Sequence, residues 1–330
     1  MPLKPLHDPG AIDCAAPPAA ASAVDADAPP GTEPGPEAHG PMPVLVGCPR
    51  SGTTLLAVML DSHPLLAMPP ETAFLPELRR FDGRDDEALR REFFALVTTD
   101  RWGVSNWDDV GVDRDEYWRR LCALRSFSIT SGLRILYGMY AERLGKPLFG
   151  EKTPADTHCM PEIEAWLPEA RFVHIVRDPR DVVLSLRRTS AGRGIRRTAR
   201  IWVDMVSLAR SSAAQVGRYH ELRYEDLVLE PEAELRKLCD FLELEYSSRM
   251  LDYRISAERH LGHLGDRPLA NGRGNVPHAL RARLHENIVQ PLRADRVRGW
   301  RRQMSPQDCA KVEAIAGSLM RELGYGGEPG

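Results

Sequence analysis

Lysine is nearly missing from this chain of 330 residues: Lys4, Lys146, Lys152, Lys237 and Lys311 are the whole set, and the other 39 of its 44 basic residues are arginine. A GC-rich coding bias accounts for that skew without a functional cause. The six cysteines, at 14, 48, 122, 159, 239 and 309, include no C-x-x-C pair, which argues against a zinc module. No basic-then-apolar leader precedes them, so a disulfide framework is not expected and a reduced, cytoplasmic setting is. No run of 18 apolar residues occurs, which excludes a spanning helix and a membrane anchor of that kind. Neither sign of charge dominates, with 44 basic against 47 acidic residues and a formal net charge of −3. A general nucleic-acid binder is thereby disfavoured, and any anion site must be local. Aromatic residues are absent from 1–40, where nine of the 27 prolines and ten alanines fall. Such a stretch lacks the apolar bulk to offset its ordering entropy, so a disordered tail is expected there, followed by one domain over 41–330.

What is present begins at Pro43. Val44-Leu45-Val46-Gly47 is a short apolar run bounded by Pro and Gly and suits a buried strand; Thr53 to Asp61 then reads as a helix. The stretch 85–145 carries apolar residues at helical spacing, among them Leu89/Phe93/Leu96 and Leu133/Leu136/Tyr137/Tyr140, and predicts several helices between strands. Pro147–Gly150 is a weak strand candidate. Phe172 to Val176 is a strong one, followed by a helix that Asp178-Pro179 opens. Helices are expected over 195–217, 231–243 and 306–323, a strand over 220–224, and a long Gly-, His- and Arg-rich loop over 255–276. There is no internal repeat. Strands alternating with helices argue for an α/β fold, a parallel sheet of P-loop type flanked by helices on both faces.

The segment Gly47-Cys48-Pro49-Arg50-Ser51-Gly52-Thr53-Thr54 lies between that first strand and first helix, where backbone N–H groups and the helix dipole converge on anionic oxygens. Its spacing is that of the nucleotide phosphate loop G-x-x-x-x-G-K-[ST], except that Thr53 stands in place of the lysine. Without that lysine, and with no acidic strand end to hold magnesium, the loop suits a short anionic group rather than a triphosphate with its metal. A second anion site is offered by Arg177 at a strand end and Ser185 two turns into the following helix. Arg-Asp-Pro also makes ordinary strand-to-helix corners. Two anion sites on neighbouring strand ends nevertheless suit a nucleotide phosphorylated at both ends.

These two stretches resemble the 5′-phosphosulfate and 3′-phosphate motifs of sulfotransferases that use 3′-phosphoadenosine 5′-phosphosulfate (PAPS). Arg50 to Leu56, Met59-Leu60-Asp61-Ser62-His63-Pro64, Glu71-Thr72, Leu222 to Leu227 with Pro231-Glu232, and Arg298-Gly299-Trp300-Arg301 are similar to the bacterial and tyrosylprotein sulfotransferase branch. The resemblance runs over about residues 43–325 and is thin between 75 and 145. It implies a P-loop-type fold and PAPS as donor, with no metal. Arg50, Ser51, Gly52, Thr53 and Thr54 would hold the 5′-phosphosulfate, Arg177 and Ser185 the 3′-phosphate, and Tyr224 would lie near the adenine. Glu71 matches the family's general base and Lys152 a lysine that meets the bridging oxygen; the charge that develops there places Arg50 beside it as a second catalytic group. His158 is the rival base.

Each residue also has a plainer reading. Glu71 could be a helix-start carboxylate, Lys152 a surface partner of Glu151, and Tyr224 a half-buried strand-end tyrosine. The arginine run 187–200 reads mostly as a solvated helix face, with Arg188, Arg193 and Arg196 the members to test. The chain departs from the branch where a serine is expected upstream of the Trp region: His285, Glu286 and Asn287 stand there, and Arg296 and Arg298 replace a lysine. The reading that results is a cytoplasmic enzyme moving a sulfuryl group to a hydroxyl or amine of a small-molecule, carbohydrate, lipid or peptide acceptor. The alternatives are a P-loop kinase using ATP and a non-catalytic binder of a 3′,5′-bisphosphorylated nucleotide.

Overall fold

The first apolar run becomes strand β1 (Met42–Val46), buried along its whole length. Strands β2 (Glu151–Lys152) and β3 (Ala170–Val176) flank it, and β4 (Tyr219–Arg223) follows, giving the order β2-β1-β3-β4. Every pairing in this sheet is parallel: Val44 lies opposite Glu151, Leu45 opposite Val173, and Ile175 opposite Leu222. The computed structural model describes residues 40–81, 86–101, 105–189, 194–269 and 273–326. The expected tail therefore lies outside the described residues but for residue 40, as does Arg193.

Parallel neighbours need long crossovers, and helices supply them. Those of eight or more residues are α1 (Thr53–Asp61), α2 (Asp86–Val97), α3 (Arg114–Cys122), α4 (Ile129–Arg143), α5 (Pro179–Thr189), α6 (Ile195–Ala213), α7 (Pro231–Leu242), α8 (Arg254–Gly262), α9 (His278–His285) and α10 (Pro306–Glu322). Strand alternation sorts the core into faces. Val44, Val46 and Phe172 pack with Phe93, Tyr117 and Tyr137 of the helical insert. Leu45, Val173 and Ile175 point the other way, onto α1 and α7. A third cluster joins Val176 to Trp202 of α6 and Met320 of α10.

Two expectations are corrected. The candidate strand at Pro147–Gly150 is split: Leu148–Phe149 pairs with Leu66–Ala67 in a side ladder, and the sheet edge is Glu151–Lys152. Gly150 permits the transfer, since a Cβ there would stand 2.7 Å from the Pro43 carbonyl oxygen. The loop expected over 255–276 contains α8 and an antiparallel pair, Arg267–Pro268 with Asn275–Val276. Polar contacts hold this region in place of an apolar stripe. Arg259 pairs with Asp61, and buried Arg267 lies 2.6 Å from Asp109, which also holds Arg281. Helix α7 ends at Leu242, where Glu243 turns left-handed with φ 56°.

Candidate active site

The turn from β1 into α1 is built on unusual backbone. Arg50 has φ 76° and Gly52, capping α1, has φ 109°. A side chain at Gly52 would be strained by that φ, and its Cβ would meet the Tyr224 ring at 2.5 Å. Arg50 keeps its left-handed conformation under two restraints. Its Nε donates to Ser185 Oγ at 3.0 Å, and its carbonyl accepts from Arg177 at 3.2 Å. The loop and the second anion motif are thus one unit.

A cavity of about 790 Å³ opens over it, within the range of small-molecule sites. Arg50, Gly52, Thr53 and Thr54 line one part of it, and Arg177, Ser185 and Tyr224 another. Ser51 is buried beneath, its hydroxyl with no hydrogen-bond partner among the described residues. The Arg177 guanidinium lies 4.1 Å from the centre of the Tyr224 ring and also donates to the Arg296 carbonyl at 3.3 Å. Burial, and then repulsion from Arg177, lowers the pKa of Arg50. A bound anion would relieve both penalties.

Next to Thr54 stands a second charged group. Lys152 is fully buried, and its Nζ lies 2.7 Å from Glu71 Oε1 and 3.5 Å from Thr54 Oγ1. The Glu71 side chain keeps 36% of its surface exposed. Burial pushes its pKa up, but the charge and hydrogen bond of Lys152, with smaller contributions from neighbouring basic groups, together hold the carboxyl below the usual glutamate value. The plainer reading of Lys152 as a surface partner of Glu151 is corrected: the two alternate across β2, and Glu151 points to the opposite face. His158 is exposed, and its carbonyl accepts from Arg79.

Sequence reasoning missed two histidines. His260 of α8 and His285 of α9 meet edge to face at 5.9 Å, and both feel the Lys152 charge. Burial keeps both neutral, with His285 lowered to about 3. His285 also lines the cavity. Its only sequence signal was its place in the departure from the branch pattern. Of the arginine run, Arg188 lines the cavity and donates to Gln303, while Arg187 faces Asp308 at 3.9 Å and Arg196 is exposed. Asp181 brings an acid to the same wall. Its Oδ1 accepts from the Trp300 N–H at 2.7 Å, and burial raises its pKa to about 6 against the pull of Arg177.

Residues 43–248 match the sulfotransferase family. The chain belongs to that family. Protein-tyrosine sulfotransferase A of Caenorhabditis elegans is 25% identical over 84% of this chain and 66% of its own length. Nodulation protein NoeE of Sinorhizobium fredii (strain NBRC 101917 / NGR234) is 26% identical over 86% of this chain and 67% of its own length. The chain therefore spans just under two thirds of the worm protein. It shares its fold with the sulfotransferase domain from the curacin biosynthetic pathway, at a TM-score of 0.53 and 23% identity over 85% of this chain and 97% of that domain. Among the described residues of this family member, no cluster of three His, Cys, Asp or Glu could hold a metal ion, and no helix is long and apolar enough to cross a membrane.

Proposed function

We propose that this chain transfers a sulfuryl group from PAPS to a hydroxyl or amine of an acceptor by in-line displacement. The donor, when bound, supplies an activated sulfuryl group on a good leaving group. Residues 50–54 would hold the 5′-phosphosulfate, Arg177 and Ser185 the 3′-phosphate, with Tyr224 beside the adenine. Lys152, fully buried, and Arg50 set fixed positive charge where the departing oxygen gains negative charge. Side chains supply that charge, so the transfer uses no metal ion. Glu71, kept as a carboxylate by Lys152, orients the acceptor and takes its proton as the new bond forms.

The supporting observation is the single cavity in which the Arg50 loop and the Arg177–Ser185 pair meet, with the Lys152–Glu71 pair next to Thr54. A small molecule, carbohydrate, lipid or peptide would be the acceptor. The worm relative's name points to protein tyrosine, and phenols head the list to try. Cys48, Cys122, Cys159, Cys239 and Cys309 are free thiols, which suits the reducing cytoplasm, and we assign the enzyme there.

Sulfur-labelled PAPS, incubated with a panel of phenols, sugars, lipids and peptides, tests the reading. Label should pass to at least one acceptor in a reaction that Lys152→Ala suppresses. Transfer of phosphate from Mg-ATP, with PAPS left unused, would replace it with a kinase.

A further inference from the structure

Glu71 sits on an irregular stretch between Met68 and Leu75, outside any strand or helix. Its carboxylate is held by Lys152, on a different segment, so the loop itself must be fixed for the two to stay in register. The next two residues are pinned. Thr153 Oγ1 accepts from the backbone N–H of Thr72 at 3.2 Å and of Ala73 at 3.3 Å. Ala73 is held at φ 65°, a conformation that costs energy unless its surroundings impose it. The Thr72 hydroxyl donates to Glu151 Oε2 at 3.1 Å.

Glu151 is the hub of these contacts. It is completely buried, and three hydroxyls donate to it: Thr72, Tyr137 at 2.8 Å on the same oxygen, and Thr153 at 2.7 Å on the other. Thr153 already accepts from two N–H groups, so its own proton is directed at Glu151. Burial pushes the Glu151 carboxyl above the usual glutamate value, while the three donors pull it back. On β2 its side chain points to the insert while that of its neighbour Lys152 points to α1. One short strand therefore carries the lysine and, on its reverse face, the anchor of the loop that bears the glutamate.

We infer that Glu151 is a positioning residue for the reaction: through Thr72 and Thr153 it sets the 71–73 loop so that the Glu71 carboxylate faces Lys152. The inference rests on the proposed roles of Glu71 and Lys152. Glu151 touches no reacting atom.

The test uses the full chain with glutamate labelled with carbon-13 at the side-chain carboxyl, the Glu71 signal being assigned by its disappearance in Glu71→Gln. In the unaltered chain this carboxyl should titrate below the ordinary glutamate range, with Lys152 beside it. Thr72→Val keeps the shape and removes the hydroxyl, so the titration should move up to the ordinary range, and Thr72→Ser should bring it back. An unchanged Glu71 titration in Thr72→Val overturns the inference, whatever the role of Glu71. Tyr137→Phe weakens the hub from its other side and gives the same reading if Thr72→Val does not fold.

Turnover separates the two claims. With PAPS and a tyrosine-containing peptide, Thr72→Val should lower kcat about tenfold with the KM for PAPS unchanged, as misplacement of a reacting group does. The same substitution should cost nothing further in the Glu71→Gln background. A full additional loss in the double variant overturns positioning and leaves Glu71 as base. Full turnover by Glu71→Gln alone removes the base and leaves the titration to decide the anchor.

Discussion

Glu71 and Lys152 form a carboxylate–ammonium pair at 2.7 Å, one partner fully buried and the other reaching solvent. Replacing Glu71 with Gln should lower turnover by roughly 10²–10⁴ while donor affinity stays near its starting value. Lys152→Ala and Arg50→Ala should each cost about two to three orders of magnitude in turnover. Arg177→Ala should lose donor affinity first, because the 3′-phosphate is remote from the sulfur. Calorimetric titration with 3′-phosphoadenosine 5′-phosphate, run beside turnover, separates these outcomes; full activity in Glu71→Gln with none in His158→Ala would move the base. In kcat/KM the acid limb should lie below the usual glutamate value of about 4.3, not near 6.5. Asp181 gives a stability prediction of opposite sign. Its folded pKa of about 6 exceeds the unfolded value of about 3.9, so its contribution to stability is lost as pH rises between those values. Asp181→Asn keeps an acceptor for the Trp300 N–H and should gain about 1–2 kcal/mol at pH 7, a difference that fades below pH 4 in denaturant melts. The phosphate loop could be read in the sequence because residues 47–54 are contiguous, and Arg177 and Ser185 because one helix spaces them. The Lys152–Glu71 contact spans 81 residues, and no spacing rule expresses it; only the resemblance pointed there.

At the scale of elements, strands and helices with an apolar period were legible: Met42–Val46, Ala170–Val176, α1 and α10 fall within a residue or two of expectation. The failures are elements held by charge. Helix α8 and the pair at Arg267–Pro268 carry His260 and lead into α9 with His285, yet their anchors are Asp61, Asp109 and arginines, which leave no apolar stripe to read. Asp109 is buried between Arg267 and Arg281, both buried as well. Removing it takes away the carboxylate that two buried guanidiniums share, leaving Arg267 with Asp100 and Arg281 with the Gly265 carbonyl. Asp109→Ala should therefore cost about 3–5 kcal/mol in a denaturant melt. A loss under about 1 kcal/mol would mean that the 254–285 region is not fastened to the insert this way.

Across the whole molecule, a four-stranded parallel sheet brings residues from the ends of β1, β2, β3 and β4 together, and α9 with the segment 287–303 lines the cavity over them. We propose 41–330 as one catalytic domain; a chain lacking residues 1–40 should keep its melting temperature and turnover, because that segment has little apolar bulk to contribute to a core. The central claim is that the paired anion grips, with Thr53 where a phosphate loop has lysine, select a nucleotide phosphorylated at its 3′ and 5′ positions over a triphosphate. Side-by-side titration of the full chain with 3′-phosphoadenosine 5′-phosphate and with Mg-ATP tests it most directly. The bisphosphate should bind about a hundredfold more tightly, through charge-assisted contacts that ATP cannot make, and Arg177→Ala should erase most of the difference. Tighter binding of Mg-ATP, unaffected by Arg177→Ala, would contradict the account.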